Sequence, residues 1–405
     1  MTPERRVAVV GAFEHPTRHA PDTSDYALLQ ECAAGALEDA GLTSKDVDGL
    51  CTLSTSNWGG ELSDPGPNRM ADYLNIVPRF VDTTYVGGAS LQFQVRRAAM
   101  AIEQGLASVV LVMYGARPRS NPRTIGVAGG TAGMATRGVT TLRPNAESFE
   151  DIYGVTTMGT FAMMASRHMH LYGTTEEHIA QVAVTVRNHA RLNPQARYRD
   201  PMTVEDVLNS RMISSPLRLL NCCVITDGGG ALVLASPEVA ARTRKKPVWL
   251  IGASEALTKG DGGYGDWLDV GLRTAARGAF DQAGIRHEDV DTVQIYDATA
   301  FHVIHHLEDL GFCGIGEGGQ FIDGGRRISL GGELPVNTDG GGLSSNHVIT
   351  RGIFVVIETI RQLRGECGDR QVADARIGIA SAVGGGGPGG QAYRRSASAL
   401  IFARD

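Results

Sequence analysis

The sequence lacks any long hydrophobic run. No stretch of its 405 residues approaches the roughly 18 consecutive apolar residues that a membrane helix requires. The first apolar run, Val7–Phe13, is too short for the core of a signal peptide and is interpreted as a first buried strand. We therefore expect a soluble protein with no membrane partner.

An excess of basic residues is also missing. The chain has 38 Lys and Arg residues against 44 Asp and Glu residues, which gives a formal net charge of −6. A basic footprint is what binds nucleic acids and anionic membranes, so neither is an expected partner. The one basic run, 242–247, is most simply a solvated linker between two halves of the chain, with a nuclear-import or nucleotide-phosphate role as the alternative.

Cysteine pairs with metal or redox spacing are absent as well. The six cysteines are scattered, contain no Cys-x-x-Cys motif and lie mostly inside apolar runs. This pattern is typical of a reducing compartment, so we expect a cytoplasmic location. The Gly-x-x-x-x-Gly-Lys-[Ser/Thr] phosphate loop is missing too, and no permanently bound cofactor is expected.

What the sequence does contain is an internal duplication. Helical spacing over 25–40 ends at Gly41 and leads into a strand, and a second helical segment ends at Gly284 before another strand. The two segments match without a gap at an offset of 243 residues and share an Asp-Val-Asp strand entry. We interpret them as repeated βαβ units, the alternative being that any α/β protein reuses such helix stops.

The duplication predicts two domains. The first half spans 1–240 and the second spans 247–405. Within the first half, segment 115–220 breaks the pattern with Arg-, Gly-, Thr- and Met-rich sequence and is predicted to be an insertion that covers the site. Its four methionines between 158 and 169 form either adaptable core or an apolar wall for a bulky substrate.

Two loops carry the candidate chemistry. A strand-like run delivers Tyr296 and Asp297 side by side, and a glycine-rich loop over 337–347 ends at His347 just before an apolar helix. Counting back from the glycine that ends the following helix in each repeat places this loop opposite the loop at Gly88, so the two should face each other. A phenol, a carboxylate and an imidazole at one pocket indicate proton chemistry.

The duplicated core, the insertion, an Asp-Gly-Gly-Gly-Ala strand over 227–231 and the histidine of the glycine-rich loop resemble the thiolase superfamily. The resemblance is strongest to its sterol-carrier-protein-type, or lipid-transfer, branch and covers essentially the whole chain. It implies an α/β fold in which thiolase-like duplicated βαβαβαββ halves form a five-layer αβαβα core. It also implies a homodimer.

The sequence departs from the thiolase pattern at each catalytic motif. The nucleophilic Cys-Ala-Ser of the family aligns with Gly88–Ser90, its His-Asp-Ala-Phe with Tyr296–Thr299, its Gly-His-Pro with Asn346–Val348, and its closing Cys-x-Gly with 382–388, which contains no cysteine. Thiolytic cleavage needs a thiolate that takes the acyl group and a second cysteine that moves the proton. Covalent transfer through sulfur is therefore not expected.

Steroid side-chain retro-aldolases of the same branch resemble this sequence in replacing Cys and in having Tyr for His. They cleave a β-hydroxyacyl-CoA into a ketone and a shorter acyl-CoA. This resemblance implies that Tyr296 is the acid/base and that His347 is its proton partner or an oxyanion donor. The substrate-binding candidates are Gly88, which would open room for a quaternary carbon, Asn346, Gly385 and Gly386. The resemblance further implies that CoA is part of the substrate and that a small OB-fold zinc-ribbon protein is a partner.

Several alternatives stay open at this point. The chain could be an acyltransferase with Ser90 as nucleophile, although a serine that opens a helix is commonly an N-cap. It could also be a non-catalytic acyl-binding subunit. Asp297 either takes part in catalysis or ties its loop to a backbone amide. The spacing of His302, His305 and His306 is similar to metal-ligand spacing, but packing is favoured and no metal site is predicted.

Overall fold

A computed structural model of the protein describes residues 7–53, 66–120, 157–258, 267–385 and 394–405. The strands are β1 (Ala8–Glu14), β2 (Gly49–Thr52), β3 (Phe80–Asp82), β4 (Val109–Ala116), β5 (Met212–Ser214), β6 (Leu217–Arg218), β7 (Gly228–Ala235), β8 (Val248–Leu257), β9 (Thr292–Ile295), β10 (Ile377–Gly385) and β11 (Arg394–Ala403). The helices are α1 (Asp25–Ala40), α2 (Pro67–Leu74), α3 (Ser90–Glu103), α4 (Thr157–Tyr172), α5 (Glu176–Arg191), α6 (Val204–Asn209), α7 (Pro237–Ala240), α8 (Leu272–Ala283), α9 (Ala300–Asp309), α10 (Gly318–Phe321) and α11 (Gly352–Arg364). None of the helices in these ranges has both the length and the apolar character needed to cross a lipid bilayer.

Nine strands form one sheet in the order β3-β2-β4-β7-β1-β8-β11-β10-β9, and β5 pairs with β6 in a separate hairpin. The two halves of the chain meet where β1 pairs antiparallel with β8, Ala8 opposite Trp249 and Val9 opposite Val248. Outward from this seam, β7, β4 and β2 of the first half correspond in position to β11, β10 and β9 of the second. The strands thus follow the same spatial order in both halves.

The repeat predicted from the sequence is confirmed in a single register. Helix α1 ends at Gly41 (φ 72°) and α8 ends at Gly284 (φ 64°), both in the left-handed conformation that glycine adopts without strain. A short 3₁₀ turn follows each glycine, at Ser44–Asp46 and at His287–Asp289, and β2 and β9 begin after these turns. Each pair of features is separated by the same number of residues.

The helices and half-sheets stack in five layers. Helix α1 covers the outer face of the first half-sheet, and α8 covers the outer face of the second. Between the half-sheets lie α3 and α11, which contact each other and strands of both halves and share one apolar core with them. The five-layer αβαβα architecture predicted from the resemblance is therefore confirmed.

The described part of the segment between β4 and β7 contains α4, α5, α6 and the β5–β6 hairpin, and residues 121–156 of this segment lie outside the described ranges. Helix α5 packs against α9 and shares its apolar core. Met164 is buried in that core, and Met158 and Met169 pack against it, which favours the core alternative for the methionine cluster. The limits 1–240, 247–405 and 115–220 remain predictions.

Candidate active site

Tyr296 stands at the carboxyl end of β9. Its backbone N–H donates to the carbonyl of Ser381 on β10 (3.0 Å), so the parallel pairing of the two strands fixes where the side chain leaves the sheet. The residue is 5% exposed. The phenol is therefore held at a defined place, with only a small part of it open to solvent.

His347 lies in the loop that leads towards α11. A single π-helical turn, Gly341–Ser345, precedes it, and its backbone N–H donates to the hydroxyl of Thr226 (3.1 Å). The imidazole Nε2 is 3.0 Å from the phenol oxygen of Tyr296, and the two rings meet edge to face with centroids 5.6 Å apart. Two residues 51 positions apart in the chain thus form a hydrogen-bonded pair of titratable groups.

The phenol oxygen has a second neighbour, the carbonyl oxygen of Ile349 at 3.3 Å. Ile349 has φ 62°, a conformation that a β-branched residue rarely adopts. The carbonyl of Val348 beside it accepts hydrogen bonds from the Thr350 backbone N–H (2.6 Å) and the Tyr114 hydroxyl (2.7 Å), which hold the turn. The phenol can donate to either neighbour, and it accepts from Nε2–H when that nitrogen is protonated.

Gly88 lies in the loop that opens α3, directly beside this pair. A Cβ placed on it would lie 2.5 Å from the carbonyl oxygen of Val383 and 3.1 Å from Cζ of Tyr296. The phenol ring and the Val383 carbonyl thus border the space beside Gly88, and its role in opening room for a quaternary carbon remains a prediction. The two loops do meet as predicted, since the Thr350 hydroxyl donates to the Gly88 carbonyl (3.2 Å).

Ser90 is fully buried at the first turn of α3. Its hydroxyl donates to the carbonyl of Gly87 (2.6 Å) and accepts from the backbone N–H of Val86 (2.8 Å). These contacts close the loop that carries Gly88, and both join the Ser90 hydroxyl to backbone groups of that loop. The geometry favours the structural alternative over a nucleophile.

Asp297 points away from the phenol into the protein and is fully buried. Its Oδ1 accepts from the backbone N–H of Gly342 (2.7 Å) and lies 3.3 Å from Nε of Arg351, while Oδ2 has no hydrogen-bond partner. Burial raises the pKa of Asp297 to about 6, although the Arg351 guanidinium acts in the opposite direction. The carboxylate thus ties its turn to the glycine-rich loop.

Asn346 is also buried and faces charged groups rather than the phenol. Its Oδ1 accepts from Nη1 of Arg351 (2.6 Å), and its Nδ2 donates to Oε1 of Glu14 (2.5 Å). Gly385 ends β10, and Gly386 lies outside the described residues. The predicted substrate-binding roles of Asn346, Gly385 and Gly386 remain predictions.

The sequence interpretation missed Arg351, which contacts both loops of the site. One signal was available: Arg351 is the only Lys, Arg, Asp or Glu between Asp339 and Glu358, and it directly precedes an apolar helix. A lone charge in such a run is buried only when it is paired. The partner could not be identified from spacing alone.

The histidines of α9 serve packing and hydrogen bonding. Nδ1 of His302 lies 2.9 Å from the Thr299 hydroxyl, Nε2 of His305 lies 2.8 Å from the Leu268 carbonyl oxygen, and Nδ1 of His306 lies 3.1 Å from the Ser381 hydroxyl. Within the described residues, no group of three or more His, Cys, Asp or Glu side chains is placed to hold a metal ion.

Two cysteines lie next to the Tyr296 turn, on the segment before β7. The backbone of Cys222 bridges to Thr299, and the N–H of Cys223 donates to the carbonyl of Ala298 (3.0 Å). Both cysteines are half-buried. Burial raises the pKa of the Cys222 thiol to about 12, which keeps it protonated near neutral pH.

A cleft of about 570 Å³ lies elsewhere in the described structure, between α1 and the end of α11. Three of the charged side chains that line it form ion pairs with one another, since Lys245 pairs with both Asp39 and Glu366. It contains none of the candidate site residues. The cleft is therefore separate from the predicted site at the Tyr296–His347 pair.

Comparison with known proteins identifies the family of the chain. A family model described as thiolase C-terminal domain-like matches residues 257–391. The chain is 35% identical over 376 residues to the 17-hydroxy-3-oxo-4-pregnene-20-carboxyl-CoA lyase of Mycobacterium tuberculosis, with 89% of this chain and 92% of that protein covered. It is 33% identical over 389 residues to an acetyl-CoA acetyltransferase of Methanothermobacter thermautotrophicus, covering 95% and 97%.

Solved structures give the same placement. A structure titled Ltp2-ChsH2(DUF35) aldolase matches with a TM-score of 0.84 at 29% identity, over 100% of this chain and 99% of that one. Human mitochondrial 3-ketoacyl-CoA thiolase matches with a TM-score of 0.70 at 15% identity, over 99% of each chain, and shares the fold alone. The chain therefore belongs to the thiolase superfamily, in the sterol-carrier-protein-type branch whose members include steroid side-chain-cleaving aldolases.

Proposed function

We propose that this protein is a carbon–carbon lyase that cleaves a β-hydroxyacyl-CoA by a retro-aldol reaction into a ketone and a shorter acyl-CoA. The observation that carries the proposal is the 3.0 Å contact between the Tyr296 phenol and the His347 imidazole, beside a glycine at the position of the thiolase nucleophile. The relative from Mycobacterium tuberculosis is named a lyase of a steroid carboxyl-CoA. A steroid side chain with a tertiary alcohol is accordingly the substrate class we propose.

The reaction needs a base at the β-hydroxyl. When that hydroxyl loses its proton, its oxygen forms the carbonyl of the ketone, the Cα–Cβ bond breaks, and the electrons of that bond pass into the thioester as an enolate. Protonation at Cα then yields the shorter acyl-CoA. Protons balance without water, an oxidant or free CoA, and the only groups required are a proton carrier and donors to the enolate oxygen.

The Tyr296–His347 pair provides the proton carrier. A neutral imidazole at Nε2 takes the phenol proton, the phenolate oxygen takes the proton of the substrate hydroxyl, and the pair returns a proton to Cα. Because Tyr296 is largely buried, bulk water competes poorly for this proton. The backbone around Gly385 and Gly386 is the proposed donor to the enolate oxygen.

The test is cleavage of β-hydroxyacyl-CoA thioesters with tertiary alcohols by the purified chain together with its partner protein. Tyr296→Phe removes the proton carrier and keeps the ring, so ketone release should fall by about 10²–10⁴-fold while substrate binding is retained. Tyr85→Phe, which alters a half-buried phenol outside this pair, is the matched control. Full activity of Tyr296→Phe would eliminate the proposal and favour a non-catalytic acyl-binding subunit.

An acyltransferase is the second candidate, favoured by the similarity to an archaeal acetyl-CoA acetyltransferase. Acyl transfer through an enzyme nucleophile leaves a covalent acyl group on the protein. Intact mass spectrometry after incubation with an acyl-CoA decides between the two. An adduct on Ser90 or Cys223 supports the transferase, and an unmodified chain that releases ketone supports the lyase.

We also propose the assembly and the location. The structural neighbour is titled Ltp2-ChsH2(DUF35) aldolase, which supports a DUF35-type partner here, and we propose that this partner is the small OB-fold zinc-ribbon protein that the family resemblance implies. A homodimer through the exposed edge of the sheet at β3 is the proposed core, because β3 ends the described sheet and Val81 on it is 45% exposed. The scattered cysteines support the cytoplasm as the compartment.

A further inference from the structure

Among the residues that the structure describes, Arg351 is one of the largest fully buried side chains, with 0% of its surface exposed. It directly precedes α11, and its guanidinium contacts three separate parts of the chain, at Asp339, Asn346 and Asp297. Arginine stays charged when buried, and its planar fork can bind several oxygens at fixed angles. The contacts to Asp339 and Asn346 are charge-assisted hydrogen bonds and therefore directional, whereas the contact to Asp297 is a buried ion pair without a hydrogen bond from Nε.

The first contact fixes the start of the glycine-rich loop. Nη2 of Arg351 lies 2.6 Å from both carboxylate oxygens of Asp339. Burial alone would raise the pKa of Asp339, but the adjacent guanidinium outweighs it and lowers that pKa. Oδ1 of Asp339 also accepts from the backbone N–H of Gly341 (2.9 Å). The charged carboxylate thus connects the guanidinium to the π-helical turn.

The second contact fixes the backbone that carries the imidazole. Nη1 of Arg351 donates to the backbone carbonyl of Asn346 (3.0 Å) and to its side-chain Oδ1 (2.6 Å). Asn346 directly precedes His347. A shift of the guanidinium would therefore move Asn346 and, with it, the adjoining backbone of His347.

The third contact reaches the turn that carries the phenol. Nε of Arg351 lies 3.3 Å from Oδ1 of Asp297, and the same oxygen accepts from the backbone N–H of Gly342 (2.7 Å). Asp297 directly follows Tyr296. One buried cation therefore contacts the neighbours of both members of the pair, although it touches neither ring.

We propose that Arg351 is a positioning residue that holds the Tyr296 and His347 segments so that the phenol and the imidazole stay within hydrogen-bond distance. The inference rests on the proposed function for its effect on turnover. Its geometric part, the alignment of the pair, stands independently of the substrate. Misplacement of a reacting group by about 1 Å can cost about 100-fold in rate, which sets the size of the expected effect.

The test separates positioning from simple stabilisation. Arg351→Met alone would leave two buried carboxylates without their cation, so the main variant is Arg351→Met with Asp339→Asn, which removes one charge of each sign. The matched control is Arg370→Met with Glu358→Gln. That pair is also buried and forked, with contacts of 3.1 and 3.0 Å, but it contacts neither Asp297 nor Asn346. Arg351→Lys keeps the charge and loses the fork.

Two readouts are made on each variant: kcat and KM for ketone release, and the imidazole ¹⁵N signals of His347, assigned with His347→Gln. We expect kcat of the Arg351 double variant to fall by about 100-fold at nearly unchanged KM. We also expect its His347 signal to move towards that of Tyr296→Phe, and Arg351→Lys to show the same changes. The control pair should lower thermal stability only.

Three results would overturn the inference: an unshifted His347 signal in the Arg351 double variant, a loss of kcat no larger than in the control pair, or full rescue by Arg351→Lys. The last result would mean that charge alone is needed. If the wild-type protein releases no ketone from any thioester, the proposed function fails, and the ¹⁵N signals alone then decide whether Arg351 aligns the pair.

Discussion

The hydroxyl of Tyr296 lies within hydrogen-bond distance of an imidazole and of a backbone carbonyl, and it can donate its proton to either. The imidazole of His347 lies at 3.0 Å and the carbonyl of Ile349 at 3.3 Å. A left-handed conformation costs a residue with a Cβ about 1–2 kcal/mol, and Ile349 adopts it with φ 62°. Strain of this kind persists where surrounding contacts enforce it, and here it directs a carbonyl at the phenol.

The contacts of Gly88 lead to the first prediction. In Gly88→Ala the new Cβ would meet the Val383 carbonyl oxygen at 2.5 Å, so the backbone must shift, and it would press on the ring of Tyr296 at 3.1 Å. We expect unfolding free energy to fall by about 1–3 kcal/mol and kcat to fall with it, as measured by chemical denaturation and ketone release.

Gly66→Ala is the control for this substitution, because its Cβ would meet nothing within 4 Å. An active, fully stable Gly88→Ala would show that the phenol position is not critical. The position also marks a limit of sequence analysis. The sequence shows that Gly88 replaces the thiolase cysteine. Only the folded structure shows that Val383 and Tyr296 border the space beside it.

Asp297 leads to a prediction about pH. Its pKa is raised from 3.8 to about 6 by burial, so the folded protein binds its proton more tightly than the unfolded chain does. The stability that this group contributes is complete below 3.8 and is lost as pH rises through about 6. Asp297→Asn has no such proton, so its stability relative to wild type should rise from about pH 4 to about pH 8.

Chemical denaturation at both pH values checks this prediction. Asp22→Asn, at an exposed position, is the control and should show no such change. A difference between Asp297→Asn and wild type that stays constant across the range would mean that Asp297 keeps an ordinary pKa in the folded state.

At the scale of elements, the repeat was visible in the sequence because it depends on local chemistry. Helices α1 and α8 each end at a glycine. These helix ends and the turns that follow them are determined by residues nearby in the chain. The equivalent of β3 in the second half could not be predicted. There the strand is reduced to a single bridge between Val293 and Val336. Such a loss depends on long-range packing and leaves no local signal.

Helix α4 is joined to α9 by a buried pair that the sequence did not predict. Nε2 of His168 lies 3.0 and 2.9 Å from the two carboxylate oxygens of Glu308, and the Thr174 hydroxyl lies 3.0 Å from Nδ1 of His168. Burial alone would raise the pKa of Glu308, but the hydrogen bond and charge of His168 together with backbone hydrogen bonds from Gly316 and Gly318 outweigh it and lower that pKa. The pair thus attaches the inserted segment to the second half.

Glu308→Gln removes this carboxylate at nearly constant volume. We expect the free energy of unfolding near neutral pH to fall by about 1.5–3 kcal/mol, the range for a hydrogen bond to a charged group. Because the folded pKa of Glu308 is lowered, wild type loses its advantage as pH falls below 4.5. Chemical denaturation of wild type and variant, near neutral pH and again below pH 4.5, measures the difference in unfolding free energy.

Glu288→Gln is the control, since Glu288 forms an exposed ion pair with Arg286 and should matter little. Equal effects of Glu288→Gln and Glu308→Gln would show that the buried pair does not hold the insertion in place. Retention of the full Glu308 advantage at low pH would argue against a lowered pKa.

At the scale of the whole molecule, the family and the fold could be predicted because they depend on motifs spread along the entire chain. The arrangement behind the site could not, because Arg351 meets Asp297 from 54 positions away only after β9 and the glycine-rich loop have packed together. Asn346 shows the same limit. Its neighbour His347 faces the phenol, whereas its own side chain faces Arg351 and Glu14.

The edge of the sheet leads to a prediction about assembly. Val77 is 90% exposed and Val81 is 45% exposed beside the free edge of β3 in the described sheet. If a second copy pairs there, light scattering should give twice the 43.0 kDa chain mass. Val77→Asp with Val81→Asp should shift the protein to monomer, because the charges repel across a two-fold interface.

Met163→Asp, at an exposed position of the half-buried helix α4, is the control and should stay dimeric. A monomeric wild type would contradict the proposed dimer, and a dimeric Val77/Val81 double variant would place the interface elsewhere.

The central claim is that a scaffold without the thiolase cysteines breaks a carbon–carbon bond by moving a proton through Tyr296. The most direct measurement is cleavage of a β-hydroxyacyl-CoA with a tertiary alcohol in D₂O without free CoA. The account predicts ketone and shorter acyl-CoA in equal amounts, with deuterium at the α carbon of the acyl product and no cleavage by Tyr296→Phe. Products that form only when free CoA is added, or that form equally well with Tyr296→Phe, would contradict it.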